Sequence, residues 1–202
     1  MTDRDTIRAR LAIAATRPAD PRRPHRGDVP PARRPPHEDF LPAAVLLGLV
    51  GYADGPRVVL TVRTDHLRDH AGQISLPGGR IESTDAGPEA AALREAEEET
   101  GIDPPRVDVL GRLRPYDTIT GFHVHPVVGW IDPPVTYTAD PFEVAEVFEV
   151  PLSFVLEAEN HKQESMEAAG RTGRFYVLQY GARRIWGATA GILVDFARVL
   201  GG

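Results

Sequence analysis

Apolar positions follow two rhythms along this chain. From Ala43 to Tyr52 they form a nearly unbroken run, the pattern of a strand buried on both faces. Ala53-Asp54-Gly55-Pro56 supplies turn chemistry, and Arg57 to Arg63 returns as a second strand, so a hairpin is expected. A polar loop from Thr64 to Ser75 leads into Leu76-Pro77-Gly78-Gly79. Further strands are expected over Val107 to Pro115, Phe122 to Ile131, Glu143 to Val150 and Phe175 to Tyr180. The helical rhythm is clearest over Pro88 to Thr100, where Pro88 suits a first helical position and Gly101 a C-terminal stop. Ile192, Leu193, Phe196, Val199 and Leu200 recur at helical spacing, predicting a closing helix over Ala188 to Leu200, and Pro151 to Glu157 reads as a helical turn or two. Strands outnumber helices and the helices are scattered among them. The expected class is α+β, with helices on both sides of a mixed sheet in an αβα arrangement.

Before Phe40 the pattern changes. Thr6 to Thr16 can form a short helix, whereas Arg17 to Asp39 is dense in Pro and Arg and is expected to be irregular, because proline lacks a backbone donor and fixes φ. The expected organisation is an N-terminal extension over 1–39, a helix followed by an arm, and a folded domain over 40–202. The arginines of the arm read as a solvated or docked extension in preference to a nucleic-acid tail. A chain of 202 residues with 42% hydrophobic content suits one core of fair size. The net charge of −6 lacks the basic excess of a protein that coats nucleic acid. With no cysteine, disulfides, thiolate metal sites and a Cys nucleophile are excluded. Met1 to Asp5 lacks the apolar core of a signal peptide, and Ala43 to Val50 is too short to span a bilayer. The expectation is a cytoplasmic protein with a small-molecule partner and neither nucleic acid nor membrane; a homodimer is compatible with it.

The chemistry concentrates on the Pro88–Thr100 segment. Glu95, Glu98 and Glu99 stand at i, i+3 and i+4, so they share one narrow helical face, while Glu97 points to solvent. Like charges at this spacing repel, and hard oxygen donors so placed suit Mg²⁺ or Mn²⁺. A solvated acidic face would be the ordinary reading of an isolated Glu-rich helix. The preceding Gly78-Gly79, which permits tight backbone approach, tips the balance toward a site, as do the loop acids Glu82 and Asp85. Arg94 can hold the neighbouring carboxylates through charge-assisted hydrogen bonds. Glu143, Glu146 and Glu149 are late acids able to complete a site, and the sequence does not choose among them. His123 and His125 would share a strand face and suit substrate lining or partial burial. Tyr116, Phe122 and Trp186 are expected in the core. No Gly-Lys-Ser/Thr follows Gly78-Gly79, so this is not a Walker loop.

The segment from Gly79 to Ile102 resembles the Nudix box, in which Gly, five residues, Glu and seven residues precede Arg-Glu-apolar-x-Glu-Glu-x-Gly-apolar. The second half matches throughout, from Arg94 to Ile102. In the first half Asp85 replaces the usual Glu, and eight residues separate it from Arg94. Upstream, Leu60-Thr61-Val62-Arg63-Thr64, Arg68, Gly72 and Leu76-Pro77-Gly78-Gly79 are similar to the signature of the coenzyme A pyrophosphatase branch, with Thr64 and Leu76 as conservative departures. Thr120 to Val127 and Ile185 to Ala190 are similar to later stretches of that branch. The resemblance covers about Phe40 to Leu200. It implies a Nudix αβα sandwich that hydrolyses coenzyme A or its thioesters to 4′-phosphopantetheine products and adenosine 3′,5′-bisphosphate. Under it, Glu95, Glu98 and Glu99 are the expected ligands of Mg²⁺ or Mn²⁺, with Glu82 as a candidate accessory ligand. Glu98, as ligand or general base, and Arg94 are the expected catalytic residues. Arg63, Arg68, Gly78 and Gly79 are expected to bind substrate, the arginines through paired donors to phosphate. The competing readings are a Nudix enzyme acting on another nucleoside diphosphate derivative and a nucleotide-binding Nudix domain that does not hydrolyse its ligand.

Overall fold

The long apolar run after Phe40 becomes the middle of a sheet. In the computed structural model, which describes residues 2–17, 40–65, 72–168 and 171–201, that run is β1 (Leu41–Tyr52), and it turns directly into β2 (Gly55–Arg63). The expected hairpin is present, with Leu49 opposite Val58 and Tyr52 opposite Gly55. The remaining strands are β3 (Ile74–Ser75), β4 (Gly78–Arg80), β5 (Val107–Arg112), β6 (Tyr116–Asp117), β7 (Phe122–Ile131), β8 (Val144–Pro151), β9 (Lys162–Ala168), β10 (Arg171–Tyr180) and β11 (Arg183–Trp186). The helices are α1 (Arg4–Thr16), α2 (Pro88–Thr100), α3 (Leu152–Leu156) and α4 (Gly187–Leu200).

The main sheet runs β3-β2-β1-β7-β5, with β4 also on β1, β6 on β7 and β8 on β2. β1 and β7 are parallel, from Leu41 opposite Phe122 to Val50 opposite Ile131, and the other pairs are antiparallel, so the sheet is mixed. A smaller sheet, β11-β10-β9, accompanies it. Alternate residues of β1 serve opposite faces, as a pleated strand requires. Ala44, Leu46 and Val50 pack with Ala91, Ala92 and Ala96 of α2. Leu47 and Leu49 pack on the other side with α3 and α4 through Leu152, Val155, Leu193 and Phe196. The result is the expected α+β fold with an αβα layering.

The helix of the N-terminal extension shares this second core. Ile7 and Leu11 are 0% and 2% exposed, and both Arg4 and Arg8 pair with Asp108. The boundary at Phe40 therefore divides the sequence without dividing the packing; the arm itself, 18–39, lies outside the described residues. Three further features differ from the sequence reading. The loop expected up to Ser75 ends in β3, and Gly78–Arg80 pairs with β1 as β4. The strand expected to reach Pro115 stops at Arg112 after an irregularity between Val109 and Gly111. β9 is polar, Lys-Gln-Glu-Ser-Met-Glu-Ala, and its order comes from pairing with β10 and not from any apolar alternation. Among the described residues no helix is long and apolar enough to cross a membrane.

Candidate active site

The site is built on α2. Pro88 opens the helix and Gly101 closes it in the left-handed region, at φ 73°, with its N–H bonded to the Glu97 carbonyl at 2.8 Å. Alanines at 91, 92 and 96 form its buried stripe. Small side chains let the helix lie close to the sheet, and the next face around carries the glutamates. These crowd the last turns, where the helix dipole is negative, and no basic residue stands in the final turn to offset them.

Arg94 organises the solvent side of this face. Its Nε and Nη2 donate to the two carboxylate oxygens of Asp85, each at 3.0 Å. Nη2 also donates to the Arg80 carbonyl at 3.1 Å. Nη1 donates to Glu95 at 3.0 Å and to Glu98 at 3.1 Å. The forked pairing spends the planarity of the guanidinium on Asp85, which is fixed further by the Glu82 N–H at 2.8 Å. These bonds hold the Asp85 carboxyl below its ordinary range, the Arg94 contact being the larger cause, and raise Arg94 well above its own. Asp85 therefore keeps a definite place despite the insertion in the box, because it anchors the arginine that orients Glu95 and Glu98.

The inner side is different. Glu99 is 4% exposed and accepts a hydrogen bond from the Gly78 N–H at 3.2 Å. Burial pushes its carboxyl up to about 8, against the pull of the Gly78 N–H and the positive charge of Arg63 at the end of β2. Burial likewise raises Glu95, which the Arg94 contact opposes. Glu95 and Glu143 add to the rise at Glu99, and Glu98 and Glu143 to that at Glu95. Gly79 faces the pair so closely that an added Cβ would lie 2.6 Å from the Glu95 carboxylate, and one on Gly78 would lie 2.3 Å from the Ala44 carbonyl oxygen. Gly79 thus lets β4 run beneath Glu95, and Gly78 lets it lie close against β1.

A profile of the NUDIX domain matches residues 41–168, well over half of the chain. The chain belongs to the Nudix family. It is 45% identical over 159 residues to the uncharacterized Nudix hydrolase NudL of Enterobacter sp. (strain 638), covering 79% of this chain and 82% of that one. NudL of Escherichia coli (strain K12) is 44% identical over the same length and coverage. Among solved structures, a MutT protein from Methanosarcina mazei Go1 superposes with a TM-score of 0.51 at 20% identity, covering 79% of this chain and 92% of that one. A MutT/nudix family protein from Enterococcus faecalis gives a TM-score of 0.50 at 21% identity, covering 84% of this chain and 70% of that one. These two likenesses concern the fold. The chain is a Nudix pyrophosphohydrolase, a class that generally uses divalent metal ions and small-molecule substrates.

Several residues of this Nudix hydrolase singled out in the sequence now have positions. Glu95 and Glu99 face β4 together, and Glu98, 58% exposed, is turned to Arg94. Glu97 is exposed, as expected. Glu82 lies on an exposed turn, with its N–H bonded to Asp85. Of the three late acids, Glu143 is the one whose charge adds to the rise at both Glu95 and Glu99. Glu146 is held in a forked pair by Arg183 at 2.9 and 2.7 Å, and Glu149 accepts from Tyr52 and Tyr137 at 3.0 and 2.6 Å. Among the described residues no three His, Cys, Asp or Glu side chains are already drawn together as a metal cage. His123 and His125 do share a strand face, with ring centroids 4.8 Å apart, and His123 Nδ1 lies 2.6 Å from the buried Asp117. Tyr116 is in the core, while Phe122 and Trp186 are half-buried, Phe122 beneath Arg80. Arg68, His66 and His70 lie outside the described residues.

Proposed function

We propose that this Nudix hydrolase cleaves the diphosphate of coenzyme A or an acyl-coenzyme A. The products are 4′-phosphopantetheine, or its acyl form, and adenosine 3′,5′-bisphosphate. One juxtaposition supports this reading above others. The stretch from Leu60 to Gly79, whose residues resemble the coenzyme A branch, supplies the surroundings of the buried acid: Arg63 lends Glu99 its charge and Gly78 gives it an N–H. Two residues of that signature, Arg63 and Gly78, thus adjoin the acidic face.

The donor set fits a divalent cation. Glu95, Glu99 and Glu143 act on one another as like charges, and Glu99 is buried, so a hard cation among them would offset both the repulsion and the cost of burial. Mg²⁺ or Mn²⁺ would be held by Glu95 and Glu99, with Glu143 completing the set and Glu98 as a further ligand. When bound, such an ion neutralises diphosphate oxygens and acidifies a water. The chain does the rest. Arg94, anchored on Asp85, keeps Glu95 and Glu98 aimed. Glu98, open to solvent, would act either as that further ligand or as the base that takes a proton from the attacking water. Arg63 and Arg68 bind the diphosphate or the ribose phosphate, and Gly79 leaves the room that a side chain would fill.

The test is product analysis by mass spectrometry after incubation with coenzyme A and Mg²⁺ or Mn²⁺. Adenosine 3′,5′-bisphosphate is the expected product. Intact coenzyme A, with turnover of a nucleotide sugar or dinucleoside polyphosphate, transfers the reading to another nucleoside diphosphate derivative. A domain that only binds nucleotide is disfavoured, since all three carboxylates of the acidic face are retained.

A further inference from the structure

We propose that Phe142 is a stacking platform for the purine base of the substrate at the rim of the carboxylate site, an inference that rests on the diphosphatase reading and extends it. Phe142 is 74% exposed, against 57% for Ile119, 52% for Ile13 and 45% for Leu41, the other large apolar side chains that stand in solvent among the described residues. An aromatic ring left in water contributes little to the fold and forgoes the gain of burial.

The backbone that carries this ring is nevertheless fastened on every side. Thr138 N–H donates to the Thr100 carbonyl at 2.8 Å and Asp140 N–H to the Glu99 carbonyl at 3.2 Å, so the loop is tied to the end of α2. Phe142 N–H donates to the Asp140 side chain at 2.9 Å. The hydroxyl of Thr64, itself 7% exposed, donates to the Phe142 carbonyl at 2.9 Å, and Thr64 N–H donates to the Glu143 carbonyl at 3.0 Å. Phe142 is thereby held between the peptide of Glu99 and the residue that follows Arg63. Its neighbour Glu143 acts on both Glu95 and Glu99. The ring thus stands on a fastened backbone, next to Glu143 in the chain and open to solvent.

A nucleoside diphosphate whose phosphates lie among these acids must carry its base outward across the rim. The base is planar and offers a π-face, and stacking on an aromatic ring is the contact available to any purine without a dedicated set of hydrogen bonds. An exposed, backbone-clamped phenyl ring meets that need.

Calorimetric titration of wild type, Phe142→Ala and Phe142→Tyr decides the matter, using adenosine 3′,5′-bisphosphate and ribose 5-phosphate as probes in Mg²⁺. The alanine variant should bind the bisphosphate about tenfold more weakly, within the range that base stacking supplies, and tyrosine should restore binding. Ribose 5-phosphate should bind all three proteins alike. Equal binding of the bisphosphate by the alanine variant overturns the proposal, as does an equal loss for both probes or a wild type that binds no purine nucleotide. If coenzyme A stays intact while purine binding still depends on Phe142, the substrate reading fails and the stacking site stands.

Discussion

The two faces of the main sheet are packed by different rules. On one, α2 touches the sheet through Ala91, Ala92 and Ala96. On the other, α4 brings Ile192, Leu193 and Phe196, joined by Leu152 and Val155 of α3 and by Ile7 and Leu11 of α1. The second arrangement removes much more apolar area from water and supplies the larger share of the hydrophobic stabilisation. The first gives up side-chain volume for proximity, which sets Glu95 against Gly79 and Glu99 against the Gly78 N–H. It also accepts a buried carboxylate, like charges and acids at the negative end of a helix. A functional site is where local rules are expected to be broken, and here the breaches all lie on one face.

The comparison fails most visibly if the two faces exchange roles under mutation. Glu99→Gln should lower kcat by more than the about 10–100-fold that loss of an outer-shell partner costs, while leaving thermal melting intact. Phe196→Ala should do the reverse, losing about 3–5 kcal/mol of stability in denaturant titration with turnover preserved at a permissive temperature. A catalytic collapse at Phe196, or an unfolded Glu99→Gln protein, breaks the division.

The proximity argument is sharpened by Gly79→Ala. The new methyl group would stand 2.6 Å from the Glu95 carboxylate, so one of the two must shift. A displacement of that order should cost roughly 100-fold in kcat/KM, and normal kinetics would show that the close approach is incidental. A smaller effect is expected at Asp85→Asn, which weakens the forked hold on Arg94 from outside the acid cluster. A drop of about tenfold in kcat/KM, the low end for such supporting residues, is the expected reading. An unchanged rate would mean that Glu95, Glu98 and the Arg80 carbonyl suffice to keep Arg94 in place.

The remaining effect is electrostatic and is read in stability. Because burial raises Glu99 to about 8 from an ordinary 4.5, the native chain keeps a proton there that the unfolded chain has released. The stability linked to that proton is complete below the unfolded value and is lost as pH rises through about 8. Glu95 shifts in the same direction. In chelator the melting temperature should therefore fall between about pH 5 and pH 8.5, and the gain on adding Mg²⁺ should grow over the same window. A metal-free melting curve that rises across it would contradict the burial of these acids.

The hairpin, the three long helices and the mixed layering were legible because they depend on runs of neighbouring residues. The spacing of Glu95, Glu98 and Glu99, and the stop at Gly101, are local in the same sense. Less was legible where the partner lies far along the chain. Asp85 looked displaced by its extra residue, yet its two carboxylate oxygens meet Nε and Nη2 of Arg94, because a turn can absorb one residue and still deliver a side chain. β9 could not be read from its polar sequence, since its order comes from pairing with β10.

What the sequence determined by itself was the family and the acidic face, because a helix converts residue spacing into angular position without help from the rest of the chain. Which acid joins that face was a matter for the tertiary structure. Glu143, Glu146 and Glu149 are equivalent as letters, yet the antiparallel register of β2 with β8 sets Glu146 opposite Val62 and Glu149 opposite Val59, where one meets Arg183 and the other a pair of tyrosines, while Glu143 stands just before the strand and adds its charge to Glu95 and Glu99. The character of Glu99 was decided there too. Its burial under Gly78 is a property of what packs around it, and no spacing along the chain contains that information.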